Sequence, residues 1–213
     1  MDKTIQNNGQ LKKEIALLVP FIMEPWRDFT LAEIKALTKS KSHHYAYEAL
    51  EKFSAKSIIK KEMRGNTNIY KINENTKELD YFALAELSIK EKSKHLPLKV
   101  IQQIQAKIKG SYYTLLITGS YAKNKQTKNS DLDTAILIPN EKAKKPFEIA
   151  LKEGELTIPE VHGLVFTEEE FYQMLINKEF NYGKECAKSH ILIYGVEAYY
   201  KIILKGLQNG FKG

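Results

Sequence analysis

The sequence holds one cysteine, Cys186, among 213 residues, so no internal disulfide can brace the chain, and nothing around that thiol marks it as activated. Long apolar runs are also missing. The longest candidate, Ile15 to Met23, falls short of the roughly 20 residues a membrane span needs, and Pro20 interrupts it. The N-terminus lacks the basic, apolar, small-residue succession of a secretory signal, which makes the cytoplasm the expected compartment and a membrane partner unexpected. There is no internal repeat and no low-complexity segment. What remains is ordinary for a soluble globular protein, with 43% hydrophobic and 28% charged residues. The formal net charge of +7 points to polyanionic partners if it is concentrated, and to a solvated surface if it is spread.

The first 76 residues read as one domain. Gln10 to Phe21 carries Leu11, Ile15, Leu18 and Val19 near the spacing of one helix face, which predicts a first helix. Thr30 with Glu33 three residues on forms a capping-box pattern for a second helix, whose apolar stripe is Leu31, Ile34 and Leu37. Ser42 can cap a third helix running through Phe53, with Tyr45, Ala49, Leu50 and Phe53 on its inner side. Ser57–Met63 and Asn68–Ile72 then alternate in strand fashion around the turn residues Arg64-Gly65-Asn66-Thr67. Three helices followed by a hairpin predict a winged helix-turn-helix.

Between Lys39 and Arg64 the basic residues Lys39, Lys41, Lys52, Lys56, Lys60, Lys61 and Arg64 outnumber the acidic Glu48, Glu51 and Glu62. In such folds the start of the second helix of the motif enters the major groove, so Lys41, His43 and His44 are expected to face bases, and Lys60, Lys61 and Arg64 on the wing to face phosphates. DNA is therefore the expected macromolecular partner, with RNA or a protein as the alternatives. A two-fold symmetric DNA site would require a dimer.

Residues 77–94 read as a helical linker, and the pattern breaks near His95-Leu96-Pro97. From residue 95 to 213 the chain reads as an α/β (α+β) domain, a small mixed sheet flanked by helices. Strands are predicted over Tyr112–Thr118, Leu132–Ile138 and Leu156–Phe166. Helices are predicted over Thr167–Ile176, Tyr182–His190 and Val196–Leu207, the first of them opened by a capping Thr167.

Two features in this region carry chemistry. The apolar strand Leu115-Leu116-Ile117-Thr118 runs into Gly119-Ser120, where a residue without Cβ lets a phosphate approach the backbone and a hydroxyl stands beside it. The next strand opens with Asp131-Leu132-Asp133, whose two carboxylates fall on one face and can share one or two hard cations such as Mg²⁺ with the phosphates of a nucleotide. Lys123, in the connection between them, is a candidate phosphate contact, and Lys125, Lys128 and Lys184 are further ones. A Gly-Ser pair or an Asp-x-Asp alone carries little information. Their order along the chain, with a polar connection between, carries much more.

This arrangement resembles the nucleotidyltransferase superfamily of DNA polymerase β, and within it the minimal nucleotidyltransferases, whose signature reads Gly-Ser, a short helix and loop, then Asp-x-Asp. The resemblance is close over Tyr112–Ile138 and weaker to about Leu207, where Phe171-Tyr172-Gln173-Met174-Leu175 and Asn181-Tyr182-Gly183-Lys184-Glu185 are similar to the C-terminal helices of members that also carry an N-terminal winged helix. It implies that Gly119 and Ser120 hold the triphosphate of an NTP, ATP among them, that Asp131 and Asp133 hold up to two Mg²⁺ ions, and that a nucleoside monophosphate passes to a hydroxyl acceptor. The alternative is a DNA-binding regulator whose transferase-like domain binds nucleotide or a partner without turnover.

The sequence departs from the family at two places. Asn124 stands where a glycine is frequent. The family's third carboxylate lies on a later strand beside the Asp-x-Asp strand, and no Asp occupies that strand here. Glu160 and His162 share one face of it. Glu160 is the better chemical substitute as catalytic and metal-binding residue, and an alignment running backwards from Thr167 favours the position of His162.

Overall fold

The computed structural model of the protein describes residues 11–108 and 112–213. The chain divides into two compact units, one reaching to Ile89 and one running from Lys90 to Phe211, with the division inside a helix. No helix of the described residues is long and apolar enough to cross a membrane.

In the first unit the predicted opening helix is broken. Residues 11–15 are helical (α1), residues 16–18 form a turn, and α2 spans Val19–Met23. Leu17 and Leu18 donate to Glu14 and Ile15, three residues back rather than four, and Pro20 then sits at the start of α2. A proline ring clashes with the carbonyl four residues earlier and has no N–H to give, so the chain tightens and restarts. Helix α3, Leu31–Thr38, has the predicted cap: Glu33 N donates to Thr30 Oγ1 at 3.2 Å and Thr30 N to Glu33 Oε2 at 2.8 Å. Its stripe is narrower than expected, because Ile34 is buried and Leu37 is 54% exposed.

Helix α4, His43–Ala55, starts at Ser42, whose Oγ accepts from Tyr45 N, and buries Ala46, Ala49, Leu50 and Phe53. Strand β1, Phe29–Thr30, pairs with β3, Thr67–Ile72, which pairs in turn with β2, Ile59–Arg64; all pairings are antiparallel and the order is β1-β3-β2. Gly65 at φ +58 lets the tight turn between β2 and β3 close. Phe21, Phe29, Phe53 and Tyr70 fill the centre. Helix α5, Leu79–Lys92, follows.

The second unit is built on a four-stranded sheet in the order β6-β5-β4-β7. Its strands are β4, Thr114–Ile117; β5, Leu132–Ile138; β6, Val161–Thr167; and β7, Ile191–Tyr194. The pair β4/β5 is antiparallel, as is β4/β7, whereas β5/β6 is parallel. A parallel neighbour requires a crossover, and helix α8, Lys144–Gly154, supplies it after one 3-10 turn, Glu141–Ala143.

Neither α8 nor β7 was predicted. The predicted strand from Leu156 starts only at Val161, because Pro159 cannot donate to a ladder and Thr157 Oγ1 ties the loop by donating to Gly154 O and Pro159 O. The remaining helices are α6, Leu98–Lys107; α7, Gly119–Ala122; α9, Glu168–Ile176; α10, Tyr182–Lys188; and α11, Val196–Gln208. The strands β4 and β5 are almost wholly apolar and buried, packed with Val100, Ile101, Ile104, Phe147 and Leu151 into one core. Gly119 after β4 and Asp133 at the start of β5 therefore both adjoin the buried centre of this unit.

Candidate functional site

Strands β4 and β5 run antiparallel, which brings the residue after the end of one beside the start of the other. Thr118 N donates to Asp133 O at 2.9 Å, and Gly119 follows at φ +62. A Cβ built on Gly119 would lie 1.9 Å from Asp133 Oδ2 and 2.8 Å from Cγ. Only glycine fits here, for two separate reasons: the left-handed backbone and the carboxylate packed on it. The predicted Gly-Ser turn and the second aspartate are thus parts of one place.

Helix α7, the single turn after Gly119, contains Ser120 and is held from outside by His95, whose Nε2 lies 2.9 Å from Tyr121 O and whose ring stacks on that of Tyr121. Asn124 stands at φ +51. Asparagine is among the few side chains that tolerate this region, so it can stand on a backbone that a glycine would also adopt. Lys125 N donates back to Ser120 O at 2.9 Å, and Thr127 with Ser130 closes the loop through Thr127 N to Ser130 Oγ at 2.8 Å. That loop delivers Asp131 to the edge of β5.

On the other side of β5 the parallel register sets Asp133 opposite His162 and Leu132 opposite Val161, while Leu132 N donates to Glu160 O. Asp131, Glu160 and His162 consequently form one cluster in which each residue offers a ligand atom and these atoms lie within 4.8 Å of one another. His162 Nε2 is 3.1 Å from Glu160 Oε1, and Nδ1 is 3.6 Å from Asp131 Oδ2. Glu160 and His162 do share a face, as predicted. Glu160 sits beyond the imidazole, and His162 is the residue in register with Asp133.

Burial pushes the Asp133 carboxyl above its ordinary range, with Asp131 and Glu185 adding to the rise while His162 and Lys123 oppose it. The His162 imidazole is raised, chiefly by its bond to Glu160. On the side of α10, Lys123 Nζ pairs with Glu185 Oε1 at 3.0 Å rather than reaching out alone, and Thr118 Oγ1 lies 3.2 Å from Tyr182 Oη. Burial raises Tyr182 to about 12. Sequence reasoning did not single out Thr118, Tyr182 and Glu185 for this site, and only the approach of α10 to the end of β4 reveals them. Lys184 N donates to Asn181 Oδ1 as part of the α10 cap.

The six residues expected at a nucleic-acid surface fall into two groups. Lys41, His43 and His44 are exposed at the start of α4, with His44 Nε2 3.2 Å from Glu48. The wing residues are engaged within the protein: Lys60 with Glu74 at 2.6 Å, Lys61 with Glu51 at 2.7 Å and over the Tyr47 ring, and Arg64 with Asp28. The start of α4 borders an open cleft lined by Lys13, Lys39, Ser40, Lys41, Ser42 and Tyr45.

A family model described as nucleotidyltransferase domain matches residues 98–186, from the start of α6 into α10. No curated protein and no solved structure matches the chain. The matched stretch contains Gly119, Ser120, Asp131, Asp133, Glu160 and His162. Nucleotidyl transfer is the general chemistry of that domain family.

Proposed function

We propose that this protein transfers a nucleoside monophosphate from a nucleoside triphosphate to a hydroxyl acceptor, at the place where Gly119 meets the Asp133 carboxylate. The observation that carries the reading is that fit, in which a bare backbone turn and a carboxylate are pressed together inside the stretch matched as a nucleotidyltransferase domain. Gly119 and Ser120 would receive the triphosphate, and Asp131 and Asp133 would hold one or two divalent ions, Mg²⁺ or a relative. A divalent ion would find donors there, since Asp131 has ligand atoms of Glu160 and His162 within 4.8 Å, a carboxylate and an imidazole. A bound divalent ion supplies neutralisation of the phosphate charge and fixes the reacting groups in line.

The chain's own part is positioning. The acceptor oxygen bonds to the α-phosphorus while the bond to the bridging oxygen of the β-phosphate breaks. The products are the nucleotidylated acceptor, pyrophosphate and a proton. The rigid β4–β5 pair would hold the triphosphate and carboxylates in fixed relation through this step.

In the first unit, the two helices α3 and α4 with the β1-β3-β2 sheet support a winged helix, in which α4 is the recognition helix and its exposed start, with the neighbouring lysine-lined cleft, faces nucleic acid. A second reading of the transferase-like unit, nucleotide binding without turnover, is favoured by one observation: His162 stands opposite Asp133 where the resemblance implies a carboxylate.

The test is incubation of the full chain with each α-labelled nucleoside triphosphate and a divalent ion, beside Asp131→Asn and Asp133→Asn, scoring label on protein, tRNA and lysate. Label transfer by the wild type alone supports transfer. Nucleotide binding without label supports the second reading. Binding no tighter than that of a variant carrying both substitutions, with no label, removes both.

A further inference from the structure

His162 is the one side chain of the site cluster that is not a carboxylate, and its two nitrogens face two different partners. Nε2 is 3.1 Å from Glu160 Oε1, a hydrogen-bond distance, whereas Nδ1 is 3.6 Å from Asp131 Oδ2, beyond one. An imidazole that donates Nε2–H to a carboxylate carries its lone pair on Nδ1. In that neutral tautomer the Nδ1 lone pair would lie 3.6 Å from an Asp131 oxygen. Two donor atoms that each bind one ion at about 2.1 Å can stand up to about 4.2 Å apart, so the gap is of the size one ion bridges. Behind the ring, Glu160 stands as the carboxylate behind a metal-bound histidine does, fixing the tautomer and raising the basicity of the ligating nitrogen.

We propose that Asp131 Oδ2 and His162 Nδ1 bind one divalent transition ion directly, with Glu160 as a positioning residue acting through His162, so that the site prefers ions of the Mn²⁺ and Co²⁺ class to Mg²⁺. The inference rests on reading the site as one that works with a divalent ion. Mg²⁺ takes oxygen ligands and gains little from an imidazole, while affinity for a nitrogen-containing site rises from Mn²⁺ to Co²⁺ along the first-row series. The competing arrangement is an imidazolium with both N–H groups donated, to Glu160 and Asp131. A proton and an ion cannot share Nδ1, so the two arrangements exclude each other.

The experiment titrates the full chain, without nucleotide, with Mn²⁺ followed by electron paramagnetic resonance, with Co²⁺ followed by its visible absorption, and with Mg²⁺ as competitor. The expected result is saturable Mn²⁺ and Co²⁺ binding at least about tenfold tighter than Mg²⁺, lost on His162→Ala and weakened about tenfold or more by Glu160→Gln. His162→Asp should narrow the preference over Mg²⁺, because an all-oxygen donor set suits Mg²⁺ and Mn²⁺ alike. Both His162 and Glu160 are exposed, so the variants should fold, with circular dichroism as the check.

Equal affinity for Mg²⁺ and Mn²⁺ in the wild type, no saturable binding of either transition ion, or a His162→Ala variant with unchanged preference overturns the inference. If Asp131→Asn abolishes label transfer while His162→Ala keeps the wild-type ion preference, this inference falls and nucleotidyl transfer stands. If the ion preference appears but no nucleotide is ever transferred, the reverse holds.

Discussion

Replacing Gly119 by alanine would put a methyl group 1.9 Å from Asp133 Oδ2 on a backbone held at φ +62. The left-handed conformation costs an L-residue about 1–2 kcal/mol, and forcing extra volume into a filled place costs about 1–3 kcal/mol, so Gly119→Ala should destabilise the second unit by roughly 2–5 kcal/mol. The carboxylate cannot retreat with its backbone, because Thr118 N holds Asp133 O and the strand is paired on both sides. Asp133→Ala removes the two nearest atoms, Oδ2 and Cγ, and leaves the backbone cost with a Cβ 3.0 Å away. A double-mutant cycle of the two substitutions, measured by urea denaturation of the full chain in chelator with circular dichroism as readout, should therefore show a favourable coupling of about 1–3 kcal/mol. Additivity within about 0.5 kcal/mol would refute the claim that Gly119 is required by Asp133.

A related sign follows for pH. The Asp133 carboxyl is raised in the folded chain by burial. Its stabilising contribution is therefore complete below its unfolded pKa and is lost as pH rises through its folded one. Asp133→Asn, which cannot ionise, should gain stability relative to wild type across that rise, and a difference independent of pH would contradict this. Thr167→Ala removes the cap of α9 and should cost about 1 kcal/mol in denaturation. The Thr167 N–H holds the Glu170 carboxyl below its usual range, so the box contributes above the ordinary carboxyl pKa and fades as pH falls through the depressed one; equal stability of wild type and Thr167→Ala would remove the cap from the account. Cys186 is buried, with its thiol pushed up to about 12, so a disulfide reagent at mildly alkaline pH should label it only as fast as the second unit opens; rapid labelling of native protein would contradict its burial. If the first unit binds duplex DNA, Lys41→Ala with His43→Ala should weaken salt-dependent binding more than Lys60→Ala with Lys61→Ala in a fluorescence-anisotropy titration, because the wing lysines already face Glu74 and Glu51.

Those wing lysines show where sequence reading stops. Counting charges between Lys39 and Arg64 finds a basic surplus, but Glu74 lies beyond the counted window and reaches Lys60 only because the hairpin brings the end of β3 back beside the start of β2. Local signals were far more legible. The caps at Thr30 and Thr167 and the seven residues of β5 depend on neighbours within a few positions and stand where the pattern puts them, and the hairpin differs in that Arg64 and Thr67 pair as strand residues and leave a shorter turn. Helix α8 had a readable signal too, since Phe147, Ala150, Leu151 and Gly154 recur at helical spacing behind Pro146, which an early helical turn accepts. Strand β7 had almost none. Four residues between a helix and Gly195 become a strand through pairing with β4, some 80 positions away in sequence.

The site divides along the same line. That Asp131 and Asp133 share a strand opening, and Glu160 and His162 a face, follows from a period of two. Which of the second pair stands across from Asp133 depends on the register of β5 against β6, and a slip by one residue would turn His162 to the opposite face. Gly163 helps fix that register: a Cβ there would fall 2.5 Å from Leu151 Cδ2 and 2.5 Å from Thr134 Oγ1, so the bare strand lets α8 lie down on β6 beside the histidine. On the proposed reading, packing on the inner face of the same strand would then bear on which ion is bound. Gly119 would set how closely a phosphate can approach, and Gly163 would help set which ligand meets the ion, so two residues without side chains would shape what the carboxylates between them can do.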